Sequence, residues 1–326
     1  MRQDSLLSIH NLRTRFHTYE GVLTAVDGIG LEVYRGETLG VVGESGCGKS
    51  VTALSILRLL ASPPAEIQGE ILFDGKNLLS MSLDEIRQIR GNSISMIFQE
   101  PMTSLNPVLT IGEQISEGIK LHQGVTHQEA WSKAVEMLRI VQIPSPEIRA
   151  KEYPHKLSGG MRQRAMIAMA LSCHPRLLLA DEPTTALDVT IQAQIVELME
   201  RLKEEIRTSI VLITHNLGLI AEMAKRVVVM YMGKVVEEAL VEDLFLEPLH
   251  PYTHGLLESI PWMGRKMKSG RKQLQEIPGM VPSLLEIPTG CRFHPRCSRV
   301  MDICRKEEPI LIRPKEGRQV LCWLWA

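Results

Sequence analysis

The residues with the clearest chemistry form the octapeptide GESGCGKS at positions 43–50. It fits the pattern G-x-x-x-x-G-K-[ST], and it follows a predicted strand and precedes a predicted helix, the context of a phosphate-binding loop. Glycines let backbone N–H groups turn towards phosphate oxygens, and the helix presents its positive end to them. Lys49 supplies a point charge to the outer phosphates, and Ser50 supplies a hydroxyl to Mg²⁺. The residues expected to bind the nucleotide are Gly43, Glu44, Ser45, Gly46, Cys47, Gly48, Lys49, Ser50 and Val51.

Two adjacent carboxylates, Asp181 and Glu182, end the apolar run in LLLADEP at 177–183. A carboxylate at this place can bind Mg²⁺ directly or through water, so Asp181 is a predicted magnesium ligand together with Ser50. Glu182 would then face the attacking water as a general base. Acids at strand ends often only cap the next helix, but that role does not explain an adjacent pair in a chain with a phosphate loop.

The elements that must position these residues alternate between strands and helices. The predicted strands are 37–43, 69–79, 176–181 and 209–215, with a strand, a Met232-Gly233 turn and a second strand over 226–239. Residues 190–206 carry apolar side chains at helical spacing. Continuous apolar runs are typical of strands buried on both faces, so the pattern predicts an α/β fold with a mainly parallel sheet.

Two regions depart from this alternation. Residues from about 100 to 165 contain helical patterns and no convincing strand, which predicts a helical insertion. After about residue 248, prolines recur, so a loop-rich appendage is expected there.

Composition narrows the function classes. The chain has 326 residues, 44% hydrophobic and 23% charged, with a formal net charge of −1. That charge gives no general attraction to nucleic acid, so no nucleic-acid partner is expected. The first residues, MRQDSLLSIHNLRTRF, lack the long apolar segment of a signal peptide, and no run approaches the roughly 18 apolar residues that span a bilayer. We expect a soluble, cytosolic protein.

The stretch LSGGMRQR at 157–164 resembles the signature motif of ABC proteins, and other ABC motifs surround it in order. Gln99 in MIFQEP resembles the Q-loop glutamine, Asp188 in TTALD the D-loop aspartate, and His215 in ITHN the switch histidine. The resemblance covers roughly residues 7–240. It implies a P-loop NTPase of ABC type with a helical subdomain and an antiparallel β-subdomain beside the core sheet.

This resemblance also implies roles for these residues. ATP would lie in a dimer interface, closed by the partner's signature residues, here Ser158, Gly159, Gly160 and Gln163. Gln99 would contact Mg²⁺ and couple to the membrane subunit, and His215 would contact the γ-phosphate. Phe16 would stack on adenine, with Tyr19 as the alternative.

The stretches EPMTSLNP (100–107), HPYTHGLLESIP (250–261) and GCRFHPRC (290–297) are similar to ATP-binding subunits of dipeptide, oligopeptide and nickel permeases. That branch implies an ABC domain over 1–250 and a C-terminal extension over 251–326. It further implies a prokaryotic importer: two membrane permease subunits, a second related ATPase in a heterodimer, an extracytoplasmic solute-binding protein, and attachment to the cytoplasmic face of the membrane. The cargo stays open between a dipeptide, a longer peptide, a metal chelate and a sugar.

Two other readings compete with this one. A non-transport ABC ATPase commonly has a long coiled-coil insertion or two cassettes, and neither is present in the sequence. A non-catalytic nucleotide-binding partner would have a degenerate site, whereas Glu182, His215 and LSGG are unaltered.

The six cysteines raise two further hypotheses. Cys291, Cys297, Cys304 and Cys322 have the spacing C-x5-C-x6-C-x17-C. Four thiolates suit an iron–sulfur cluster, and the resemblance favours a structural [4Fe-4S] cluster; zinc and free or disulfide-linked thiols remain alternatives. Cys47 stands where many phosphate loops have serine, and one interpretation is that cysteine is tolerated there simply for its similar size. The other follows from the helix N-terminus, which lowers a thiol pKa: Cys47 is then expected to be prone to ionise and to be covered by bound nucleotide.

Overall fold

The computed structural model describes residues 4–100, 104–185, 187–259 and 276–326. Parts of the stretches EPMTSLNP and HPYTHGLLESIP, and Ala186 of TTALD, lie outside these residues. The chain divides into two compact units. One comprises Met1–Leu7, Val33–Thr38 and Leu72–Ile213, and the other comprises Ser8–Glu32, Leu39–Ile71 and Thr214–Ala326.

The strands found in the described residues are β1 (Ser5–Thr18), β2 (Gly21–Tyr34), β3 (Thr38–Val42), β4 (Ala65–Phe73), β5 (Lys76–Asn77), β6 (Ile94–Ile97), β7 (Leu177–Asp181), β8 (Ser209–Ile213), β9 (Arg226–Tyr231), β10 (Lys234–Leu240), β11 (Leu311–Lys315) and β12 (Arg318–Leu321). The α-helices found there are α1 (Lys49–Ile56), α2 (Leu83–Ile89), α3 (Ile111–Gln123), α4 (His127–Ile140), α5 (Pro146–Arg149), α6 (Gly159–Leu171), α7 (Val189–Ile206), α8 (Leu217–Met223), α9 (Val241–Leu246), α10 (Pro251–Glu258) and α11 (Asp302–Lys306).

The first unit contains three parallel strands, with β7 between β6 and β8. Every residue of β6, β7 and β8 is buried. The continuous apolar runs of 176–181 and 209–215 predicted this burial for β7 and β8, whereas β6 was not predicted. The helices α3 to α6 occupy the predicted helical insertion. Two of them begin with a complete capping box, Thr110 with Glu113 at α3 and Thr126 with Glu129 at α4. These boxes satisfy backbone N–H groups that a helix start otherwise leaves without partners.

The second unit pairs β3 with β9 in parallel, and β9 with β10 as an antiparallel hairpin through the predicted Met232-Gly233 turn. Both turn residues have positive φ, 44° and 78°, which the glycine adopts without steric cost. Beyond β10 lie two strands that sequence analysis missed: β12 pairs antiparallel with β10, and β11 pairs with β12. The appendage therefore extends the sheet, although much of it is irregular.

No helix among the described residues is long and apolar enough to cross a membrane.

Candidate functional site

The loop at 43–50 joins β3 to α1 in the second unit, as its motif predicts. Gly43 has φ 153° and Gly48 has φ 103°. A Cβ at Gly43 would lie 2.2 Å from the carbonyl oxygen of Met230, and one at Gly48 would lie 2.4 Å from that of Ala25. Neither position can hold a side chain without moving backbone, so packing of the unit requires both glycines.

Lys49 opens α1 and is buried. Its Nζ donates to the carbonyl oxygens of Gly43 at 2.8 Å and of Glu44 at 3.1 Å, so the ammonium closes the loop on itself. Gly48 is the N-cap of α1 and supplies no side-chain acceptor. The first N–H groups of a helix have no partner within the helix, and such a start suits an anion such as phosphate.

Cys47 lies inside this loop and is buried. Burial raises the pKa of its thiol, and the nearby Lys49, with Nζ 3.7 Å from Sγ, only partly offsets that effect. The expectation that Cys47 is prone to ionise is therefore wrong. A helix N-terminus can lower the pKa of a thiol, but removal of the Cys47 sulfur from water has the largest effect here and acts in the opposite direction.

Glu44 is held by residues that follow 250 in the chain. Its backbone N–H donates to the hydroxyl of Tyr252 at 2.8 Å. Arg296 donates to both carboxylate oxygens, from Nη1 to Oε2 at 2.6 Å and from Nη2 to Oε1 at 3.0 Å. This forked ion pair joins the phosphate loop to the segment that carries the cysteines.

In the first unit, Asp181 is the last residue of β7 and is buried, and Glu182 follows it with a left-handed φ of 48°. The N–H of Glu182 donates to the carbonyl oxygen of Ile213 at 2.8 Å, which fixes this unusual backbone at the end of β8. Its carboxylate Oε2 accepts from the amide Nε2 of Gln99 at 3.1 Å and from the hydroxyl of Thr185 at 2.8 Å. Strained backbone of this kind concentrates at functional sites.

The predicted magnesium ligands are all oxygen donors: the hydroxyl of Ser50, the carboxylate of Asp181 and the amide oxygen of Gln99. Hard oxygen ligands of this type suit Mg²⁺, which is usually held by one or two protein groups together with substrate phosphates. Ser50 follows Lys49 at the start of α1 in the second unit, whereas Asp181 and Gln99 belong to the first.

The signature residues open α6. Ser158 is its N-cap, and its Oγ accepts from the N–H of Met161 at 3.3 Å. Gly159 has open space where a Cβ would lie, and a Cβ at Gly160 would meet the side chain of Ile191 at 3.1 Å. Gln163 is buried and donates to the carbonyl oxygen of Pro183, which directly follows Glu182. Gln163 therefore contacts the segment after β7 within its own chain.

The remaining predicted residues lie at element ends. Asp188 is exposed and caps α7, where its Oδ1 accepts from the N–H of Ile191 at 2.9 Å. His215 is exposed, belongs to the second unit and comes two residues after the end of β8 in sequence. Phe16 lies within β1 and is half-buried, whereas Tyr19, in the turn after that strand, is 98% exposed.

The iron–sulfur assignment of Cys291, Cys297, Cys304 and Cys322 is wrong. Among the described residues, no group of three or more histidine, cysteine, aspartate or glutamate side chains could hold a metal ion. The zinc alternative fails on the same ground, and all four cysteines are free. Burial, with a smaller contribution from neighbouring thiols, raises the pKa of Cys291 and of Cys322 to about 11.

The physical reason for this correction is that the appendage is anchored by other contacts. Phe293 packs edge-on against Tyr231, with ring centroids 5.2 Å apart, and also contacts Tyr252. The buried Arg318 pairs with the buried Glu237 at 3.3 Å. These contacts, with the β10–β12 pairing, provide the attachment that the cluster was expected to supply.

Three site residues were missed by sequence reasoning. Thr185 contacts the predicted general base, and Tyr252 and Arg296 hold Glu44. Thr185 lies close enough in sequence to the acid pair to have been noticed. Arg296 lies between two cysteines, which drew attention to metal binding instead, and it is separated from Glu44 by more than half of the chain.

A glycine-shaped loop between a strand of a parallel pair and a helix, with a lysine at the helix start, defines the class of P-loop nucleotide-binding proteins. The family model described as ABC transporter matches residues 26–185. A second model, described as the C-terminal region of oligopeptide/dipeptide transporters, matches residues 236–304.

Relatives match nearly the whole chain. It is 53% identical over 323 residues to a probable peptide ABC transporter ATP-binding protein, y4tR, of Sinorhizobium fredii, covering 99% of this chain and 96% of that protein. It is 54% identical over 322 residues to the oligopeptide transport ATP-binding protein AppD of Bacillus subtilis, covering 98% and 97%. The chain therefore belongs to the family of peptide ABC transporter ATP-binding proteins, which confirms the resemblance drawn from its motifs.

Solved structures agree on the fold. The dimeric post-hydrolysis structure of the ATP-binding cassette MJ0796, bound to ADP and Pi, has a TM-score of 0.65 and 28% identity, covering 72% of this chain and 98% of that one. CbiO1 from Clostridium perfringens, part of an ABC transporter complex, has a TM-score of 0.62 and 26% identity, covering 75% and 92%. The predicted ABC-type α/β fold is confirmed, and the chain is an ATPase of this class.

Proposed function

We propose that this chain hydrolyses ATP to energise the uptake of dipeptides or oligopeptides through separate membrane permease subunits. The observation that carries the peptide assignment is the match of residues 236–304 to the C-terminal region of oligopeptide/dipeptide transporters. Relatives about half identical over the full chain are named for peptide or oligopeptide transport, which supports the same cargo class.

The hydrolytic role is assigned to residues at the two predicted motifs. Lys49 and the N–H groups at the start of α1 bind the outer phosphates, and Phe16, or alternatively Tyr19, stacks on adenine. Ser50, Asp181 and Gln99 are the residues that would hold Mg²⁺, which neutralises charge on the phosphates when bound. His215 contacts the γ-phosphate.

Glu182 is the proposed general base. It takes a proton from water as the water oxygen bonds to the γ-phosphorus, and the bond from that phosphorus to the β–γ bridging oxygen breaks to release ADP. The hydrogen bonds from Gln99 and Thr185 orient its carboxylate, and both are made to Oε2.

The partners follow from the same family membership. A second, related ATP-binding subunit would contribute its signature residues to the nucleotide bound by this chain. In turn, this chain would contribute its own signature residues to the nucleotide bound by the second subunit: Ser158, Gly159, Gly160 and Gln163. Asp188 would lie at that interface. The complex would sit on the cytoplasmic face of the membrane and receive peptide from an extracytoplasmic binding protein. Residues 1–250 would form the ABC domain and 251–326 its extension.

Reconstitution of the full transporter in liposomes tests the proposal. ATP hydrolysis by this chain, a second ATPase, two permeases and the binding protein should rise when dipeptides or oligopeptides are added. Stimulation by a nickel chelate or a sugar, with none by peptides, would refute the peptide assignment. Full peptide-coupled activity with this chain as the only ATPase would refute the heterodimer.

A further inference from the structure

The phosphate loop carries one acidic side chain, Glu44, and its charge needs an explanation in a loop proposed to bind a triphosphate. A carboxylate beside a polyanion repels it unless a cation lies between them or next to the acid. Arg296 is that cation: its two terminal guanidinium nitrogens, Nη1 and Nη2, donate to the two carboxylate oxygens of Glu44. Its side chain is 5% exposed, and that of Glu44 is 28% exposed, so solvent screens the pair only in part.

The guanidinium is itself fixed by the appendage. Its Nε donates to the carbonyl oxygen of Pro278 at 3.1 Å, and Nη2 also lies 3.4 Å from that of Ile277. The ring of Tyr231 lies beneath it, 5.9 Å from Cζ. Because these contacts come from two segments besides Glu44, the 277–278 stretch and Tyr231, Arg296 is held in place rather than drawn there by Glu44 alone.

The same region also fixes the backbone of the loop. The hydroxyl of Tyr252 accepts the N–H of Glu44, and Tyr252 packs against Tyr231 with centroids 4.7 Å apart. Arg292, four residues before Arg296, donates to Met232 and pairs with Asp27. The N–H of Gly233, next in the chain, donates to the carbonyl oxygen of Cys47 at 2.9 Å. The appendage therefore contacts the loop directly at Glu44, and it reaches Cys47 only indirectly, through the Met232-Gly233 turn.

We propose that Arg296 is a positioning residue for the nucleotide: it neutralises Glu44 and holds the phosphate loop in its binding conformation, so that the C-terminal extension sets the affinity for ATP. This inference rests on the proposed assignment of residues 43–50 to the phosphates. Two consequences separate it from a merely structural role. Loss of the cation should weaken the binding of ATP more than that of ADP, because ATP carries more charge near Glu44. Added salt should reduce this difference between the two affinities.

The experiment measures ATP and ADP affinities of the full chain with fluorescent nucleotide analogues at low and high salt. Arg296→Met should bind ATP about tenfold more weakly and ADP by a smaller factor, because an unpaired carboxylate then faces the phosphates. The double variant Arg296→Met with Glu44→Gln removes that carboxylate and should recover affinity to within about twofold of the native chain. Arg305→Met, at an exposed arginine of the same segment, is the matched control and should bind normally.

The proposal would be overturned if Arg296→Met lost affinity for ATP and ADP equally, or if adding Glu44→Gln did not restore the affinity. Native ATP affinity in Arg296→Met would also overturn it. If that variant fails to fold, Arg296→Gln carries the same test, because its amide nitrogen can replace Nε as the donor to Pro278, while the charge and the two terminal nitrogens that bind Glu44 are removed. Lys49→Ala tests the assignment of residues 43–50 to the phosphates separately from the role of Arg296. If that substitution leaves ATP affinity intact, the assignment of the loop itself has failed, whatever Arg296 does.

Discussion

Strand β12 is attached to β10 by a buried ion pair whose removal has a calculable effect. Glu237 is 0% exposed and Arg318 is 2% exposed, with Nη2 3.3 Å from Oε1. The carboxylate also accepts the N–H groups of Leu249 at 2.8 Å and of His250 at 2.9 Å. Arg318→Met would leave Glu237 with these two donors and no cation.

Breaking one partner out of a buried ion pair usually costs about 3–5 kcal/mol. Because two backbone donors to Glu237 remain, we expect the free energy of unfolding of this region to fall by an amount near the lower end of that range, about 3 kcal/mol. The loss should appear first as local opening around β12, because this strand lies towards the edge of the sheet order β11-β12-β10-β9-β3. By the relation of tenfold per 1.4 kcal/mol, the amides of Leu249 and His250 should exchange hydrogen about 10²-fold faster.

Hydrogen exchange followed by mass spectrometry measures this effect directly on those two amides. The matched control is Lys315→Met on the neighbouring strand, which removes an exposed ion pair with Glu247 and should leave the same amides unchanged. Unchanged exchange in Arg318→Met, or an equal change in the control, would refute the argument that Arg318 compensates a buried charge.

Three further experiments test the phosphate loop and the region around it. Gly48→Ala should weaken nucleotide binding at least about tenfold in a titration, because φ is 103° and the new Cβ would lie 2.4 Å from the carbonyl oxygen of Ala25. Maleimide should label Cys47 slowly at neutral pH and faster as pH rises, because burial raises the pKa of its thiol. Burial lowers the pKa of His250 from 6.5 to about 3, and its Nδ1 accepts the N–H of Tyr252. Between about pH 6.5 and 3, the imidazole of His250 therefore binds a proton in the unfolded chain but not in the folded chain. The free energy of unfolding should fall as pH drops through this range, and its dependence on pH should be weaker in His250→Asn.

Each of these outcomes has a clear opposite. Gly75→Ala has a similar φ of 77° but open space around its Cβ, so it should spare nucleotide binding; equal losses at Gly48 and Gly75 would remove the steric argument. Rapid labelling at neutral pH that disappears in Cys47→Ser would show an ionised thiol. Identical pH dependence of unfolding in native protein and His250→Asn would show that His250 is not the titrating group.

Short motifs were predictable from sequence because their geometry is local. The glycines at 43 and 48, the lysine at 49 and the acid pair at 181–182 lie within single turns or strand ends, so residue type and spacing nearly determine where they point. The buried strands β7 and β8 were predictable for a similar reason, since an unbroken apolar run of four residues fits few environments.

Long-range contacts were not predictable in this way. Nothing near Arg296 in sequence indicates that its partner is Glu44, and nothing in the RQVL of β12 indicates that β10 is its neighbour. The cysteine hypothesis failed for the same reason. Spacing shows that ligands of the right type are present, but a metal site also needs a grouping of donors that spacing does not specify. Cys47 failed differently, because burial in the folded loop outweighed a local effect that the motif suggested.

The role of Glu182 as the base that activates water is tested most directly by a single substitution. Glu182→Gln keeps the size of the side chain, and its amide oxygen can still accept the hydrogen bonds from Gln99 and Thr185. The substitution removes the carboxylate that would accept the proton. In the assembled transporter, we expect this variant to bind ATP normally, to turn it over about 10²-fold or more slowly, and to accumulate as an ATP-bound dimer with the partner subunit. Steady-state turnover close to that of the native transporter would contradict the assignment.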